Sequence, residues 1–102
     1  MAEIRKTIEH GAKGKSLPRK VRFEYKAPEA MDVHLVGDFN GWDTGNNPME
    51  KDENGIWKTS ISLRPGRYEY RFIEDGTWQN DAACSSRVPN EFGSWNCIRF
   101  VK

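Results

Sequence analysis

Residues Asn54 to Phe72, NGIWKTSISLRPGRYEYRF, carry the pattern that decides the fold of this chain. Trp57, Thr59, Ile61 and Leu63 recur at every second position, as one face of a half-buried strand requires. Asn54-Gly55 introduces that strand with turn chemistry, and Pro65-Gly66 bends the chain into a second alternation, Tyr68, Tyr70 and Phe72. Two alternating runs joined through Pro-Gly predict a β-hairpin, the strongest such signal in the sequence.

The same period extends outward in both directions. Upstream, Val21, Phe23 and Tyr25 alternate with Arg22, Glu24 and Lys26, and Val33 to Val36 reads as a short strand before the turn-forming Gly37-Asp38-Phe39-Asn40-Gly41-Trp42. Downstream, Asp75-Gly76 makes a tight turn before Trp78, and a loop through Pro89, Asn90 and Gly93 leads to a last strand over residues 96–101. Six or seven short strands without intervening helices predict an all-β, antiparallel sandwich of immunoglobulin-like build over residues 21–102. Residues 1–20 carry Arg5, Lys6, Lys13, Lys15, Arg19 and Lys20 against Glu3 and Glu9, broken by Gly11, Gly14 and Pro18. They read as a flexible, disordered basic arm.

Size and charge exclude several classes. A chain of 102 residues holds one core, and a net charge of +1 gives no field to recruit nucleic acid or a membrane surface. No apolar run approaches the roughly 20 residues that cross a bilayer, and the first residues lack the apolar core of a signal peptide, so a soluble, cytoplasmic monomer is expected. Cys84 and Cys97 match neither a CxxC nor a CxxH pattern, and two reduced thiols are expected. No His pairs with a ligand cluster, so neither a metal nor another cofactor is expected. Four Trp, five Phe and three Tyr exceed what so small a core must hold, which points to aromatics facing water for binding.

Four motifs then occur in order: GDFNGW, the PGxYxYRF strand, DGxW, and NxFGxxN. Together they resemble the family 48 carbohydrate-binding modules, which include the glycogen-binding domain of the AMP-activated protein kinase β subunit and the N-terminal modules of branching and debranching enzymes. The resemblance covers residues 21–101. It implies an early-set immunoglobulin-like sandwich that binds α-1,4-linked glucans, such as glycogen, starch or their oligosaccharides, and no catalysis. Position by position, it implies sugar platforms at Trp42 and Trp78, a cationic donor at Arg71 and a closing Asn96. Phe92 and Ser94 stand where the kinase modules often have Leu and Thr, which bears on the choice between linear and cyclic chains.

The chemistry suits the residue types. A pyranose presents axial C–H groups as an apolar patch ringed by hydrated hydroxyls, and a flat indole matches that patch at low entropic cost. Arg71 falls on the outward parity of its strand, opposite to Tyr70 and Phe72, where its fork can donate to vicinal hydroxyls or form an ion pair with Glu69. Asn96 offers a donor and an acceptor to a hydroxyl, or else caps a turn. Trp57 shares its face with Ile61 and Leu63 and reads as core, whereas Trp95 reads either as a sugar contact or as a cover for the sandwich.

A glycosidase needs two carboxylates across a cleft, but Asp38, Asp43, Asp75 and Asp81 all lie in turn-forming sequence. No nucleophile elbow or phosphate loop is present, so no catalytic residue is expected. The competing reading is a protein-interaction or scaffold module, docked on a glucan-metabolising enzyme or kinase subunit, with a weak or vestigial sugar site.

Overall fold

The computed structural model describes residues 17–102. Residues 1–16 of the expected basic arm lie outside the described residues, while Arg19 and Lys20 already pair with Leu63 and Ser62. The alternation seen from Val21 therefore starts two residues into the first strand. Eight strands follow: β1 (Arg19–Lys26), β2 (Val33–Gly37), β3 (Glu50–Lys51), β4 (Ile56–Leu63), β5 (Gly66–Glu74), β6 (Thr77–Gln79), β7 (Arg87–Pro89) and β8 (Trp95–Val101). Among the described residues, the one helical turn is a 3-10 segment, Asp38–Asn40.

The strands form two antiparallel sheets packed as an immunoglobulin-like sandwich. One sheet has the order β1-β4-β3; the other has the order β2-β5-β8-β7, with β6 added to β5. This arrangement corrects the expected hairpin at Pro65-Gly66. Leu63 pairs with Arg19 in the first sheet, whereas Gly66 pairs with Val101 in the second, so the chain crosses from layer to layer at that corner. The reason is burial. Trp57 and Leu63 on β4, and Tyr70 and Phe72 on β5, are each covered by the opposite layer. A hairpin would set both stripes on one face of one sheet with nothing above them. The Tyr68 hydroxyl donates to the Arg64 carbonyl at 2.7 Å and braces the crossing.

True hairpins form at Asn54-Gly55 and at Asp75-Gly76. Asp52 Oδ1 accepts from the amides of Asn54 (2.8 Å) and Ile56 (3.1 Å), closing β3 onto β4. Lys58 pairs with the same carboxylate at 2.8 Å, and these partners draw its pKa down to about 2. Asp75 and Gly76 both take positive φ, 49° and 83°, the two-residue turn that matches the twist of β5 and β6.

Phe23, Leu35, Phe72 and Cys97 are fully buried at the centre, with Phe23 meeting Tyr70 edge-on at 5.0 Å. Trp57 is core, as its parity required, and its indole N–H donates to the Ala27 carbonyl at 2.9 Å. The cysteines are not two thiols: Cys84 and Cys97 form a disulfide with their Cα atoms 6.0 Å apart. Cys97 points inward from β8 beneath the segment that follows β6, which brings Cys84 within bridging range. Sequence spacing alone holds no trace of that approach.

Candidate functional site

The outer face of the five-stranded sheet is built up by three turns. The first follows β2. Asn40 accepts from the Gly37 amide (3.2 Å) and donates to the Leu35 carbonyl (3.2 Å) and to Asn47 Oδ1 (2.7 Å), so one side chain ties the whole turn together. A Cβ at Gly37 would lie 2.5 Å from the Glu69 carbonyl oxygen and 2.6 Å from the Phe39 ring, so only glycine lets β2 lie this close to β5. Gly41 and Trp42 then both take left-handed backbone, φ 68° and 60°, and the Trp42 amide donates back to the Gly37 carbonyl at 2.9 Å. Left-handed backbone is rare for so bulky a side chain, and such strain concentrates where geometry serves a function.

The second turn is the β5–β6 hairpin, which carries Trp78. Its ring is 41% exposed and stands 6.4 Å from that of Trp42, centroid to centroid, with 44° between the planes. Arg71, outward on β5 as its parity required, lies 5.3 Å from the Trp78 ring. Its Nε donates to Asn80 Oδ1 at 2.8 Å, which leaves the ends of the fork to point elsewhere. Burial holds the Arg71 pKa below the usual arginine value.

The third turn, Asn90–Ser94, is organised by Asn90. Its Oδ1 accepts from the Phe92 (2.9 Å) and Ser94 (3.2 Å) amides, which lifts the Phe92 side chain into solvent at 80% exposure. Asn90 Nδ2 donates to Asn96 Oδ1 at 3.0 Å, and Asn96 Nδ2 donates to Glu69 Oε1 at 3.1 Å. Both ends of the Asn96 amide are thus taken, and the residue is only 9% exposed. Glu69 pairs with Arg67 at 2.9 Å rather than with Arg71. The Asn96 hydrogen bond, helped by Arg67, lowers the Glu69 pKa and keeps it an acceptor-only carboxylate.

Trp42, Arg71, Trp78, Phe92, Ser94 and Asn96 therefore surround one open cleft of about 770 Å³. Glu69, Asn90, Pro89 and Glu91 complete its lining. Glu69, expected only as an ion-pair partner of Arg71, and Asn90, expected only as a loop residue, both contribute polar groups to the cleft. The signal for Glu69 was its outward parity two residues from Arg71; Asn90 offered only a turn residue in a turn. Trp95 does not line the cleft; it packs on the core beneath the Arg87 guanidinium, 4.0 Å from its ring.

The four aspartates of the turns keep to turn work. Asp43, Asp75 and Asp81 each accept a backbone amide near their own turn or the adjoining loop, at 2.9, 2.8 and 3.0 Å, and Asp38 accepts that of Glu69 at 3.1 Å. Among the described residues, no group of three or more His, Cys, Asp or Glu is arranged to hold a metal ion.

Residues 9–97 match the family described as carbohydrate-binding module 48 (isoamylase N-terminal domain). The chain is 39% identical over 79 residues to Protein FLOURY ENDOSPERM 6, chloroplastic, of Oryza sativa subsp. japonica, covering 78% of this chain and 15% of that protein. It is 38% identical over 79 residues to Protein PTST homolog 2, chloroplastic, of Arabidopsis thaliana, covering 78% and 14%. To a 1,4-alpha-glucan branching enzyme of Aquifex aeolicus it is 43% identical over 63 residues, covering 58% and 10%. The matched stretch thus spans about one seventh or less of each relative. The expected cytoplasmic location is overturned by the two plant relatives, both chloroplastic by name; charge and the lack of an apolar run carry no information about such a compartment.

Proposed function

The chain belongs to the carbohydrate-binding module 48 family, and on that premise we propose that its outer cleft holds an α-1,4-linked glucan chain without cleaving it. The pair of tilted indoles carries the reading. Successive units of an α-1,4 chain turn their apolar faces as the chain curves, so two platforms set at 44° follow a helical glucan and mismatch the flat ribbon of a β-1,4 chain. Arg71 donates to hydroxyls at the edge of the stacked sugar, Glu69 accepts from them, and Asn96 holds Glu69 in place. Phe92 reaches into the curve of the chain.

Each stack covers about 80 Å² of apolar surface, which contributes on the order of 2 kcal/mol at about 25 cal/mol/Å². Association costs consume several kcal/mol, so the dissociation constant for maltoheptaose should fall between about 10 μM and 1 mM. Firm attachment to a particle then comes from many chain ends or several linked modules. The branching enzymes among the relatives favour a setting in which another domain or polypeptide makes or breaks the glucan bonds, and the chloroplastic relatives favour a plastid.

The test is retention on immobilised amylose, with release by maltoheptaose. Retention should survive molar salt, since stacking is not screened, and disappear in a Trp42→Ala/Trp78→Ala double variant. Retention of that double variant would sink the assignment, and release by salt alone would move the binding to charged residues elsewhere.

A further inference from the structure

We infer that the Cys84–Cys97 disulfide is a redox switch for the cleft: its reduction by a dithiol loosens the segment that anchors Arg71 and weakens glucan binding. This rests on the reading of the cleft given above.

Three observations converge. Asn96 and Cys97 are neighbours on β8 and point to opposite faces, Asn96 to the cleft and Cys97 into the core, where it is fully buried. Its partner Cys84 ends the segment that leaves β6, and that segment lies outside both sheets. Within it, Asn80 bridges the cleft wall: Oδ1 takes the Arg71 Nε–H at 2.8 Å, and Nδ2 donates to Ser94 Oγ at 3.3 Å. The disulfide is the covalent tie that keeps Asn80 over Arg71.

The fold has the means to survive loss of that tie. Asp81 accepts from the Tyr70 hydroxyl at 2.8 Å and from the Ala83 amide at 3.0 Å, holding the base of the segment after the bridge opens. Cys97 Sγ lies 3.3 Å from the Asp81 carbonyl oxygen, a contact that becomes an S–H···O hydrogen bond only once the sulfur carries a proton. The reduced state thus has a place for its buried thiol.

Access is one-sided. Cys84 is half-buried and lines a second hollow, of about 520 Å³, whereas Cys97 is sealed. A thiolate of the reductant attacks Cys84 Sγ; the S–S bond breaks and its electron pair leaves on Cys97 Sγ, which takes a proton. The second reductant thiolate then attacks the reductant sulfur of the mixed disulfide and displaces Cys84 as a thiolate, which is protonated in turn. Two electrons pass to the protein, and the reductant ends as a disulfide.

The experiment measures the dissociation constant for maltoheptaose by calorimetry on the full chain, oxidised and after dithiothreitol, with thiols counted and near-UV circular dichroism recorded in each state. We expect no free thiol before reduction and two after, a preserved aromatic signal, and an affinity lower by about tenfold, the worth of one hydrogen bond to a charged group. Reoxidation should restore it. Asn80→Ala should show the weak affinity from the outset and respond to dithiothreitol by less than about twofold, because the anchor is already gone. Equal affinity in both states overturns the switch, as do free thiols in the oxidised chain or outright unfolding on reduction. A full redox response in Asn80→Ala overturns the route through Arg71. Absence of maltoheptaose binding in both states overturns the reading of the cleft itself, and this inference with it.

Discussion

The two outer faces of the sandwich obey the same period-two rule and end with opposite characters. On the three-stranded sheet, Lys20, Arg22 and Glu24 stand across from Ser62, Ser60 and Lys58, and the charges satisfy one another: Arg22 with Glu24 at 2.9 Å, Lys58 with Asp52 at 2.8 Å. Only a shallow hollow results. On the five-stranded sheet, Arg71, Glu69 and Asn96 occupy equivalent outward positions, but three turns rise around them and bring Trp42, Trp78 and Phe92 as walls. Strands supply the floor on both faces. Concavity, and with it the capacity to take a ligand, comes from the turns.

Substitutions on the two faces test that contrast. The largest effect belongs to the walls: Trp78→Ala should weaken maltoheptaose binding about 30-fold or more, since one stack is worth on the order of 2 kcal/mol. The Arg22→Ala and Lys58→Ala counterparts on the opposite face should stay within about twofold in the same titration, for exposed ion pairs contribute little. A comparable loss from either would erase the distinction between the faces.

Next comes the floor. Glu69→Gln should cost about tenfold by replacing a charge-assisted acceptor with a neutral one. Because the Glu69 pKa is depressed, its acceptor is fully present above the ordinary carboxylate range and is lost only as pH falls through the lower folded value. Wild-type affinity should therefore be flat from neutral pH through the ordinary carboxylate range and decline below it, while Glu69→Gln stays flat throughout. A wild-type decline beginning near neutrality would point to another group.

Smaller still is the tip of the third turn. Phe92→Ala should weaken binding by about threefold, and differently for β-cyclodextrin than for linear maltoheptaose, because a ring exposed at 80% gains contact only from a curved partner. Equal losses for both ligands would show that it does not sense curvature. The last effect is on stability. Trp42→Gly relieves a left-handed backbone and should leave the unfolding free energy unchanged or raise it by up to about 1 kcal/mol, read as an equal or higher melting temperature, while binding is lost. A marked destabilisation would make Trp42 a structural plug.

The all-β class, the inward stripes of β1, β4 and β5, and the outward aspect of Arg71 were legible because they depend on period alone. The meeting of Trp42, Trp78 and Phe92 was legible only through motif order, since nothing local brings three distant turns together. What stayed hidden depends on which strand lies beside which. Pro65-Gly66 looks the same whether it reverses a chain within a sheet or carries it across to the other, and the opposing stripes decide that only once both layers exist. The inward Cys97 and the Cys84 of a loop showed no mutual approach until β8 had a place. The engagement of the Asn96 amide was hidden as well, because the side chains that take it, Glu69 and Asn90, come from a different strand and a different turn.

One consequence lies in the order of manufacture. β5 pairs with β2, β6 and β8, and the cleft floor needs Asn96 of β8 against Glu69 of β5. On the ribosome, both indoles are synthesised before the strand that completes the floor between them. A module that lacks β8 should therefore stay blind to sugar even though Trp42 and Trp78 are already in place.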